Sequence, residues 1–379
     1  MTTYHFLQLY WWAIVSLLGA ILVFLMFVQG GQTLLWGMAS NDEQKNLLAK
    51  FFGHKWELTF TTLVTFGGAA FAAFPLFYST SFGGAYWLWI LILLSFVIQA
   101  FSYEFRGKEK NLLGKKTYDT FLMLNGVVGT ILIGVAVATF YSGGNFFMDK
   151  AGITERTSNV ISYWVNDYKG LELIAKPYNL LLGVVVFLAA RTLGLLFTIN
   201  QSSKVKSDAA ESLLMKAHSK IKITGLAFVL SFVVFVLLTF LATGYKVNVA
   251  DSSFDGVNGI IVPQKYLYFN NMVSNLWMAA IFLIGVLLVL WALARTIFKG
   301  KSSFYMLGLG VIFAVWPLLL CAGFGDAAYF HSNYDLQSSL TLYNSSSSLY
   351  TLKTMAWVSL AIPFVLLYIA YAWKKMTAK

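Results

Sequence analysis

The sequence predicts an all-α integral membrane protein with nine transmembrane helices, arranged as two four-helix bundles plus one peripheral helix. Of its 379 residues, 58% are hydrophobic and only 11% are charged, whereas soluble domains carry about 25% charged residues. Nine separate stretches reach the roughly 20 apolar residues that a helix needs to cross a bilayer. Because hydrocarbon offers no partners to backbone N–H and C=O groups, each stretch must be helical. The predicted spans are 9–29, 57–79, 84–103, 119–141, 178–199, 223–244, 272–294, 304–328 and 354–373.

The longest predicted outer loop, 142–177, divides the chain into four spans, then four spans, then one. The sequence halves show no clear repeat, so the two-bundle arrangement is inferred from the span count alone. The outer loops carry many Gly, Asn, Ser and Tyr residues, which indicates a small ordered cap. We therefore expect a first bundle at 1–143, an outer loop at 144–177, a second bundle at 178–330, and an outer loop with the ninth helix and a tail at 331–379.

The basic residues are distributed unequally between the two faces of the membrane. Of 27 Lys and Arg residues, nineteen fall on the face that carries the C-terminus and seven on the other, while Arg191 lies within span 5. The positive-inside rule places the richer face in the cytoplasm, so the N-terminus is predicted outside and the C-terminus inside. The net charge of +11 is thus read as a topology signal, not as a nucleic-acid surface. No Lys or Arg precedes span 1, so we expect an anchor rather than a cleaved signal peptide.

Span 2 gathers small residues that recur at steps of four on a helix face. Such small-xxx-small faces let two helices approach closely in a membrane. We therefore expect a helix-packing surface on this span, formed by Gly67, Gly68, Ala69, Ala72 and Ala73.

Other segments predict interfacial helices and kinks. The cytoplasmic segments 30–55 and 201–222 mix apolar and charged residues as amphipathic helices at a membrane interface do. Pro75, Pro317 and Pro363 lie in or near the ends of spans, where proline usually kinks a membrane helix.

A few polar residues lie near or within the spans on the cytoplasmic side. A charged side chain at membrane depth costs about 2.5–3.5 kcal/mol on insertion scales, so such residues are informative. Carboxylates can pass protons and amides can orient water, so a polar row rising from the cytoplasm suits proton uptake. The residues of the predicted row are Gln29, Gln32, Glu57, Gln99 and Glu104.

Each polar residue also has a structural interpretation. The charged residues Glu57, Glu104, Arg106 and Asp119 fit interfacial positions that pair with loop charges. Gln99 fits an interhelical hydrogen bond. Arg191 fits a structural ion pair within the membrane.

The histidines argue against a haem on this chain. A haem between helices normally takes a His ligand at membrane depth, but His5, His54, His218 and His331 all lie outside the span interiors. No Walker loop, CxxC pair or dinucleotide-binding glycine pattern occurs, and the single Cys321 fits a small core residue. We therefore expect no metal and no catalytic redox residue here.

Several motifs together resemble subunit II of the cytochrome bd-type quinol oxidases. The most specific piece is the Gly-Gly-Ala-Ala-Phe-Ala-Ala-Phe-Pro run at 67–75, flanked by Trp56-Glu57 and by the segment 103–108. The tail agrees in the segment 339–344, the serine run and the tryptophan and proline of the last span. The similarity covers essentially the whole length.

The resemblance implies a haem-free subunit of a bacterial cytoplasmic-membrane enzyme. That enzyme reduces dioxygen to water with electrons from a membrane quinol, and it takes the protons from the cytoplasm. Haems b and d and the quinol site belong to the partner, subunit I. A small single-span subunit and a structural quinone in an apolar groove are also compatible with the family, and the quinol is left open between ubiquinol and menaquinol.

The resemblance also assigns roles to residues of the polar row. The family's proposed proton path begins at an acid after the span-2 tryptophan, which is Glu57 here, and Glu104 matches a second acid. Family acids after span 1 are replaced by Gln29 and Gln32, and Gln99 stands where Arg is frequent. Asn344 likewise replaces an Asp of the tail motif. Since amides do not titrate, Glu57 is the expected titrating group.

A secondary transporter is the alternative function. Its kinked helices would surround a substrate at Pro75, Pro317 and Pro363. Transporters place ionisable groups near the bilayer midplane at a repeat interface, but here only Arg191 lies clearly deep and no repeat is visible.

Overall fold

The structure is a computed structural model that describes residues 2–149, 161–248 and 260–377, and it is mostly helical. In the first half, two π-helical stretches, Ser79–Gly84 and Asn125–Gly129, interrupt the α-helices. The helices of this half are α1 (Thr3–Leu25), α2 (Phe27–Gln32), α3 (Leu34–Gly37), α4 (Asp42–Gly53), α5 (Trp56–Ala73), α6 (Pro75–Tyr78), α7 (Tyr86–Phe105), α8 (Lys115–Leu124) and α9 (Thr130–Ser142).

The second half is built from longer, less interrupted helices. Pro177 opens its first helix, because proline at the first position loses no helical hydrogen bond. Short 3₁₀ turns, Leu171–Ala175 and Leu336–Ser338, lie in the connections. The helices are α10 (Pro177–Ser202), α11 (Asp208–Leu241), α12 (Leu267–Ser274), α13 (Leu276–Lys299), α14 (Phe304–Gly323), α15 (Leu342–Ser345), α16 (Leu349–Ser359) and α17 (Ile362–Thr377).

Two antiparallel hairpins form the predicted ordered cap at one end of the helices. Strand β1 (Phe146–Met148) pairs with β2 (Ser162–Trp164), and β3 (Thr243–Asn248) pairs with β4 (Ile260–Lys265). Single bridges tie both hairpins to the chain that follows α14, at Gly144–Ser332 and Lys246–Ala327. The predicted loop residues 150–160 and 249–259 lie outside the described part of the chain.

Eight of the nine predicted spans meet the length and apolarity of a membrane crossing in the described residues. Seven are single crossings: α1–α3, α7, α8–α9, α10, α11, α13 and α14. The eighth is the pair α16–α17, which bends by 45°. The remaining span contains α5, an 18-residue helix with four threonines, which lower its apolarity. The Thr59 hydroxyl donates to the Leu25 carbonyl at 2.8 Å, so α5 is held against α1.

Three predicted boundaries were wrong. Span 57–79 is not one helix, because α5 ends at Ala73 and Pro75 starts a new helix. Segment 201–222 is not a separate interfacial helix. Instead, residues 208–222 form the first part of the 34-residue α11, since no proline separates Asp208 from Leu241. Span 304–328 ends at Gly323, so Asp326 lies in the cap.

The remaining predictions of local structure hold in part. The interfacial helix predicted within 30–55 is α4, whose start is capped by Asn41 Oδ1 accepting from the Gln44 N–H at 2.9 Å. The three prolines behave differently. Pro75 stands at a helix break, Pro317 lies inside the continuous α14, and Pro363 is the second residue of α17.

One continuous buried cluster of apolar residues extends through both halves. Helix α10 packs along α9, α2 and α11, while α14 packs along α1 and α13. Glycines make these crossings close: a Cβ on Gly134 would lie 2.6 Å from the Cα of Gly183. The helices therefore pack as closely at the seam between the predicted bundles, where α10 meets α9 and α2, as they do within each bundle.

Candidate functional site

All five of the predicted polar side chains and one tyrosine meet between α2 and α7 or line the surface beside them. Gln29 and Gln99 are fully buried, and Gln29 Nε2 donates to Gln99 Oε1 at 3.3 Å. Gln32 is also fully buried, and its Nε2 donates to the Tyr103 hydroxyl at 3.2 Å. The two amides of α2 therefore contact two side chains that lie one helical turn apart on α7.

The polar contacts continue deeper along the same face of α7. Ser95 precedes Gln99 by four residues, so both point the same way. Asn125, in the π-helical stretch after α8, donates its Nδ2 to Ser95 Oγ at 3.2 Å. Tyr103, Gln99 and Ser95 thus form a column, which we call the amide column together with Gln29, Gln32 and Asn125.

Several atoms of the amide column have no protein partner among the described residues. They are buried, and a buried polar group without a hydrogen bond is costly. Buried water commonly satisfies such groups. The atoms are Gln29 Oε1, Gln32 Oε1, Gln99 Nε2 and Asn125 Oδ1. The column therefore has the donors and acceptors that an internal chain of water needs.

Glycines explain why α2 can point its amides toward α7. A Cβ on Gly30 would stand 1.9 Å from the Ala190 carbonyl oxygen, and one on Gly31 would stand 2.1 Å from the Phe52 ring. A Cβ on Gly194 would likewise stand 2.5 Å from the Gly31 nitrogen. Gly30 therefore packs closely against α10 and Gly31 against α4. The flanking glutamines, Gln29 and Gln32, point toward α7.

An open cavity of about 560 Å³ adjoins the column on the side of α4 and the α7–α8 loop. Glu57, Glu104, His54 and Tyr103 are among its lining residues, and we call it the mouth. The Tyr103 ring stacks on Trp56 at a centroid distance of 6.3 Å. Tyr103 therefore belongs to both places, since its ring lines the mouth and its hydroxyl accepts from the column.

The two carboxylates of the mouth are exposed. Glu57 lies in the first turn of α5, where a negative charge favours the helix dipole. Glu104 forms an exposed ion pair with Lys108 at 3.0 Å, as the structural interpretation expected. No hydrogen bond between described residues joins either carboxylate to the amides, so the predicted row consists of a mouth and a column linked by Tyr103.

A buried ion cluster borders the mouth. Arg106 Nε donates to Asp119 Oδ1 at 2.5 Å, and Arg106 Nη1 donates to Asn46 Oδ1 at 2.8 Å. Lys45 Nζ lies 3.8 Å from the second Asp119 oxygen. The structural interpretation is therefore confirmed for Arg106 and Asp119, which fix the α7–α8 connection against α4.

Sequence reasoning missed Tyr103 and Ser95 as members of the site. Each lies four residues from Gln99, so the helical period was the signal that could have found them. Arg191 has no carboxylate within 4 Å among the described residues, so the predicted structural ion pair is absent from that part of the chain. Its Nη1 instead donates to the Thr33 hydroxyl at 2.5 Å.

The second half encloses a different kind of cavity. A space of about 260 Å³ lies between α9, α10, α11, α13 and α14. Its lining is apolar, with Val186, Phe232 and Val289 among the residues. Tyr141 is among the lining residues, but its hydroxyl donates to the Leu318 carbonyl at 2.8 Å and adds no polar surface to the cavity. We call this space the apolar cavity.

No group of three or more His, Cys, Asp or Glu residues within the described ranges could hold a metal ion. Cys321 is buried and unpaired with another cysteine. His331 is buried in the cap, outside the membrane-spanning segments. Burial, and then the charge of Lys176, lower the pKa of His331 to about 3.

The predicted small-residue surface on α5 is only partly used inside the chain. Gly67 and Ala73 are buried, whereas Gly68 faces outward with no atom within 4 Å of a Cβ placed there. An open groove of about 420 Å³ runs between this face and the bend of α16–α17, and Gly68 and Ala69 line it.

Comparisons with known proteins agree with this architecture. The family model described as cytochrome bd terminal oxidase subunit II matches residues 7–376. The chain is 24% identical to cytochrome bd-I ubiquinol oxidase subunit 2 of Escherichia coli K12, over 99% of this chain and 96% of that one. It is 26% identical to cytochrome bd ubiquinol oxidase subunit 2 of Bacillus subtilis 168, over 87% and 83%.

A solved structure shares the fold. The structure of bd oxidase from Geobacillus thermodenitrificans superposes with a TM-score of 0.62 and 11% identity, over 97% of both chains. The protein is thus a multi-pass subunit of a respiratory oxidase complex of the bacterial cytoplasmic membrane. The chain belongs to the cytochrome bd terminal oxidase subunit II family.

Proposed function

We propose that this chain supports a haem-bearing subunit I and conducts protons toward it from the cytoplasmic face. The complex would oxidise a quinol and reduce dioxygen to water, with haems b and d held by subunit I. The observation that carries the proton path is Tyr103, whose ring lines the mouth and whose hydroxyl accepts from Gln32. It connects solvent to the amide column.

The proposed path runs from Glu57 through the mouth to Tyr103, and then along the column to Gln29 and Gln99. Glu57 is exposed and can exchange protons with the cytoplasm. The amides cannot titrate, but each presents a donor and an acceptor that can hold water in line. The unpartnered amide atoms support this role, because they need partners that water can supply.

The proposed topology follows from the charges. Nine spans, with the N-terminus outside and the C-terminus in the cytoplasm, place α4, the start of α11 and the end of α13 on the basic face. Their lysines and arginines support this orientation. The two-bundle division into 1–143 and 178–330, followed by 331–379, belongs to the same proposal.

The apolar cavity is the proposed place for a structural quinone. An isoprenoid tail needs apolar walls, and the lining meets that need. Tyr141 already donates to Leu318, so the cavity offers no free polar group for catalysis. The quinol-oxidising site, and with it the choice between ubiquinol and menaquinol, would lie on subunit I.

The small-residue surface on α5 is a proposed contact for another membrane helix. It comprises Gly67, Gly68, Ala69, Ala72 and Ala73, of which Gly68 is exposed beside an open groove. Subunit I is the proposed partner, and a small single-span subunit would be an additional one. No nucleic acid is expected to bind.

Replacing Glu57 by Gln tests the proton path. In the complex reconstituted in liposomes, Glu57→Gln should lower oxidase turnover and cytoplasmic proton uptake together, by about 10²-fold. Glu109→Gln is the matched control: it makes the same change at an exposed carboxylate of the α7–α8 connection that does not line the mouth. Haem spectra should stay unchanged in both variants.

Three results would contradict the proposal. Unchanged turnover in Glu57→Gln would remove Glu57 from the path. Solute uptake by the chain alone in liposomes would instead favour a secondary transporter. A Soret band from the chain alone would place a haem on it and exclude the supporting role.

A further inference from the structure

Arg191 is a cation in a membrane helix whose hydrogen-bonding capacity is mostly unused. Its Nη1 donates to the hydroxyl of Thr33 at 2.5 Å and to the Thr33 carbonyl at 3.4 Å. Both partners are neutral. No described residue accepts from its Nε or Nη2. Because a guanidinium carries five N–H donors in a planar fork, most of its donors remain available to an anion.

The guanidinium of Arg191 lies beside the end of the first span. A Cβ on Gly37 would stand 2.9 Å from Arg191 Nη2, and Gly37 is the last residue of α3. The neighbouring Trp36 is 47% exposed, as is common for tryptophan at a membrane interface. The long arginine side chain thus carries its charge from within α10 toward the headgroup level.

Two further cations surround the same short segment. Lys216 Nζ donates to Ser40 Oγ at 2.6 Å and to Gln44 Oε1 at 3.0 Å, which are again neutral partners. Lys45 Nζ lies 4.7 Å from the ring centre of Trp36. Gly37 and Ser40 are three residues apart, so their Cα atoms lie within about 11 Å. We call the three cations around residues 36–41 the cationic collar.

Acidic residues do not neutralise most of the collar. Asp119 lies 3.8 Å from Lys45. Asp42 and Glu43 are exposed in the first turn of α4, and neither lies within 4 Å of Arg191, Lys216 or Lys45 among the described contacts. The collar therefore presents at least two cations that hold only neutral protein groups.

The surface above the collar suits an acyl chain. Four residues of α10 fall on the helix face of Arg191, at steps of three and four, and each is at least partly exposed. All are apolar: Leu180, Val184, Phe187 and Leu188. A ligand seated at Arg191 would therefore meet hydrocarbon on the membrane side and cations on the other.

We propose that the cationic collar binds the phosphate of an anionic phospholipid of the leaflet on the basic face. Arginine pairs with phosphate through two parallel N–H bonds, and basic pockets between membrane helices favour anionic headgroups. The lipid tail lies along the apolar face of α10. This site is distinct from the mouth, the amide column and the apolar cavity.

Lipid binding to the purified complex of this chain and its partner tests the site. Phosphatidylglycerol is titrated into the complex in zwitterionic nanodiscs, and bound lipids are counted by native mass spectrometry. Arg191→Gln keeps a donor for Thr33 but removes the charge, and it should weaken phosphatidylglycerol binding about tenfold. Lys301→Gln changes an exposed lysine on the basic face that makes no ion pair or hydrogen bond with the collar residues among the described contacts, and it should bind like the wild type.

Further variants and a competition experiment identify the anion and keep the test valid if one variant fails to fold. Arg191→Lys keeps the charge and should restore most of the binding. Lys216→Gln leaves the membrane helices intact and should weaken binding about threefold, so it carries the test if Arg191→Gln does not assemble. Inorganic phosphate should not compete with the lipid.

Three outcomes would overturn the proposal. Equal loss in Arg191→Gln and Lys301→Gln would show a general charge effect. Full competition by inorganic phosphate would show a free-anion site. Release of the partner subunit by Arg191→Gln in nanodiscs without phosphatidylglycerol would show that the guanidinium instead pairs with a carboxylate of the partner.

Discussion

The interiors of the two halves differ in chemistry although both are built from membrane helices. The first half contains the amide column, with Gln29, Gln99 and Asn125 carrying polar atoms that lack protein partners. The apolar cavity lies between α9 and four helices of the second half, and the hydroxyl of its lining residue Tyr141 is already bonded to the Leu318 carbonyl. A polar interior of this kind takes up water, whereas an apolar cavity of this size stays dry or holds an apolar ligand.

This difference shows that the number of helices in each half does not determine the polarity of its interior. Five side chains of α2 and α7, namely Gln29, Gln32, Ser95, Gln99 and Tyr103, are enough to place polar groups inside an otherwise apolar bundle. The two interiors are kept apart because α2 points Gly30 at α10, Gly31 at α4 and its glutamines at α7.

The largest expected effect comes from placing the same acid in each interior. Val186→Glu puts a carboxyl group into the apolar cavity, and we expect a loss of about 3 kcal/mol in the free energy of unfolding. Gln99→Glu is nearly isosteric, keeps an acceptor for Gln29 Nε2 and adds polarity where polar atoms already lie. It should cost less than about 1 kcal/mol.

Thermal unfolding of the two variant complexes, at one pH and in one lipid, measures this difference. Val186→Leu serves as the control for shape, because it enlarges the side chain without adding polarity. If both glutamates destabilised the complex equally, the two interiors would not differ in polarity as proposed.

Much of the fold followed from hydropathy, and the site followed in part. The spans were predictable because a membrane forces long apolar runs into helices. An interhelical hydrogen bond of Gln99 was predicted, because a buried amide without a hydrogen bond is costly, and its partner is Gln29. Local breaks were harder to predict. The stop at Ala73 and the extension of α11 back to Asp208 depend on packing around the helix, which a hydropathy pattern does not record.

Long-range contacts set the remaining features of the site. Arg106 and Asp119 pair because the α7–α8 connection folds back on itself, which neither residue signals alone. Tyr103 gains its role from the position of Gln32, which lies 71 residues away in the sequence. Partners at such separations are set by the tertiary fold and not by local patterns.

A glycine pair gives the next largest effect and probes the seam. Gly30→Ala would drive a Cβ to within 1.9 Å of the Ala190 carbonyl oxygen, so α2 must move away from α10. Overpacking of this kind costs about 1–3 kcal/mol. The movement would also shift Gln29 and Gln32, so oxidase turnover should fall together with the melting temperature.

Gly68→Ala is the matched control on α5. A Cβ there meets no atom within 4 Å, and alanine favours helix over glycine by up to about 1 kcal/mol. In the lone chain this change should be neutral or stabilising. A loss of partner binding in Gly68→Ala would locate subunit I at that surface, whereas an unaffected Gly30→Ala variant would contradict the close seam.

The smallest expected effect is a pH dependence confined to the connection between α4 and α5 in the first half. Lys55 is buried between α4 and α5, outside the membrane-spanning segments, and its Nζ lies 4.3 Å from the ring centre of Trp373. Burial, and then the charge of Lys204, lower the pKa of Lys55 to about 8 from 10.5. The unfolded chain holds this proton more tightly, so folding stability should rise as the pH increases from 8 toward 10.5.

The Trp373 ring favours the charged lysine and so offsets part of the effect of burial, and we expect a gain below about 1 kcal/mol. Lys55→Met removes the titration, and the stability of the wild type relative to this variant should therefore increase between pH 7 and pH 9. Val186→Ala, in the apolar cavity, should show a loss that does not change over the same interval, because no side chain beside it titrates there. If both differences moved with pH in parallel, the titrating group would not be Lys55, and pH would not distinguish the two halves.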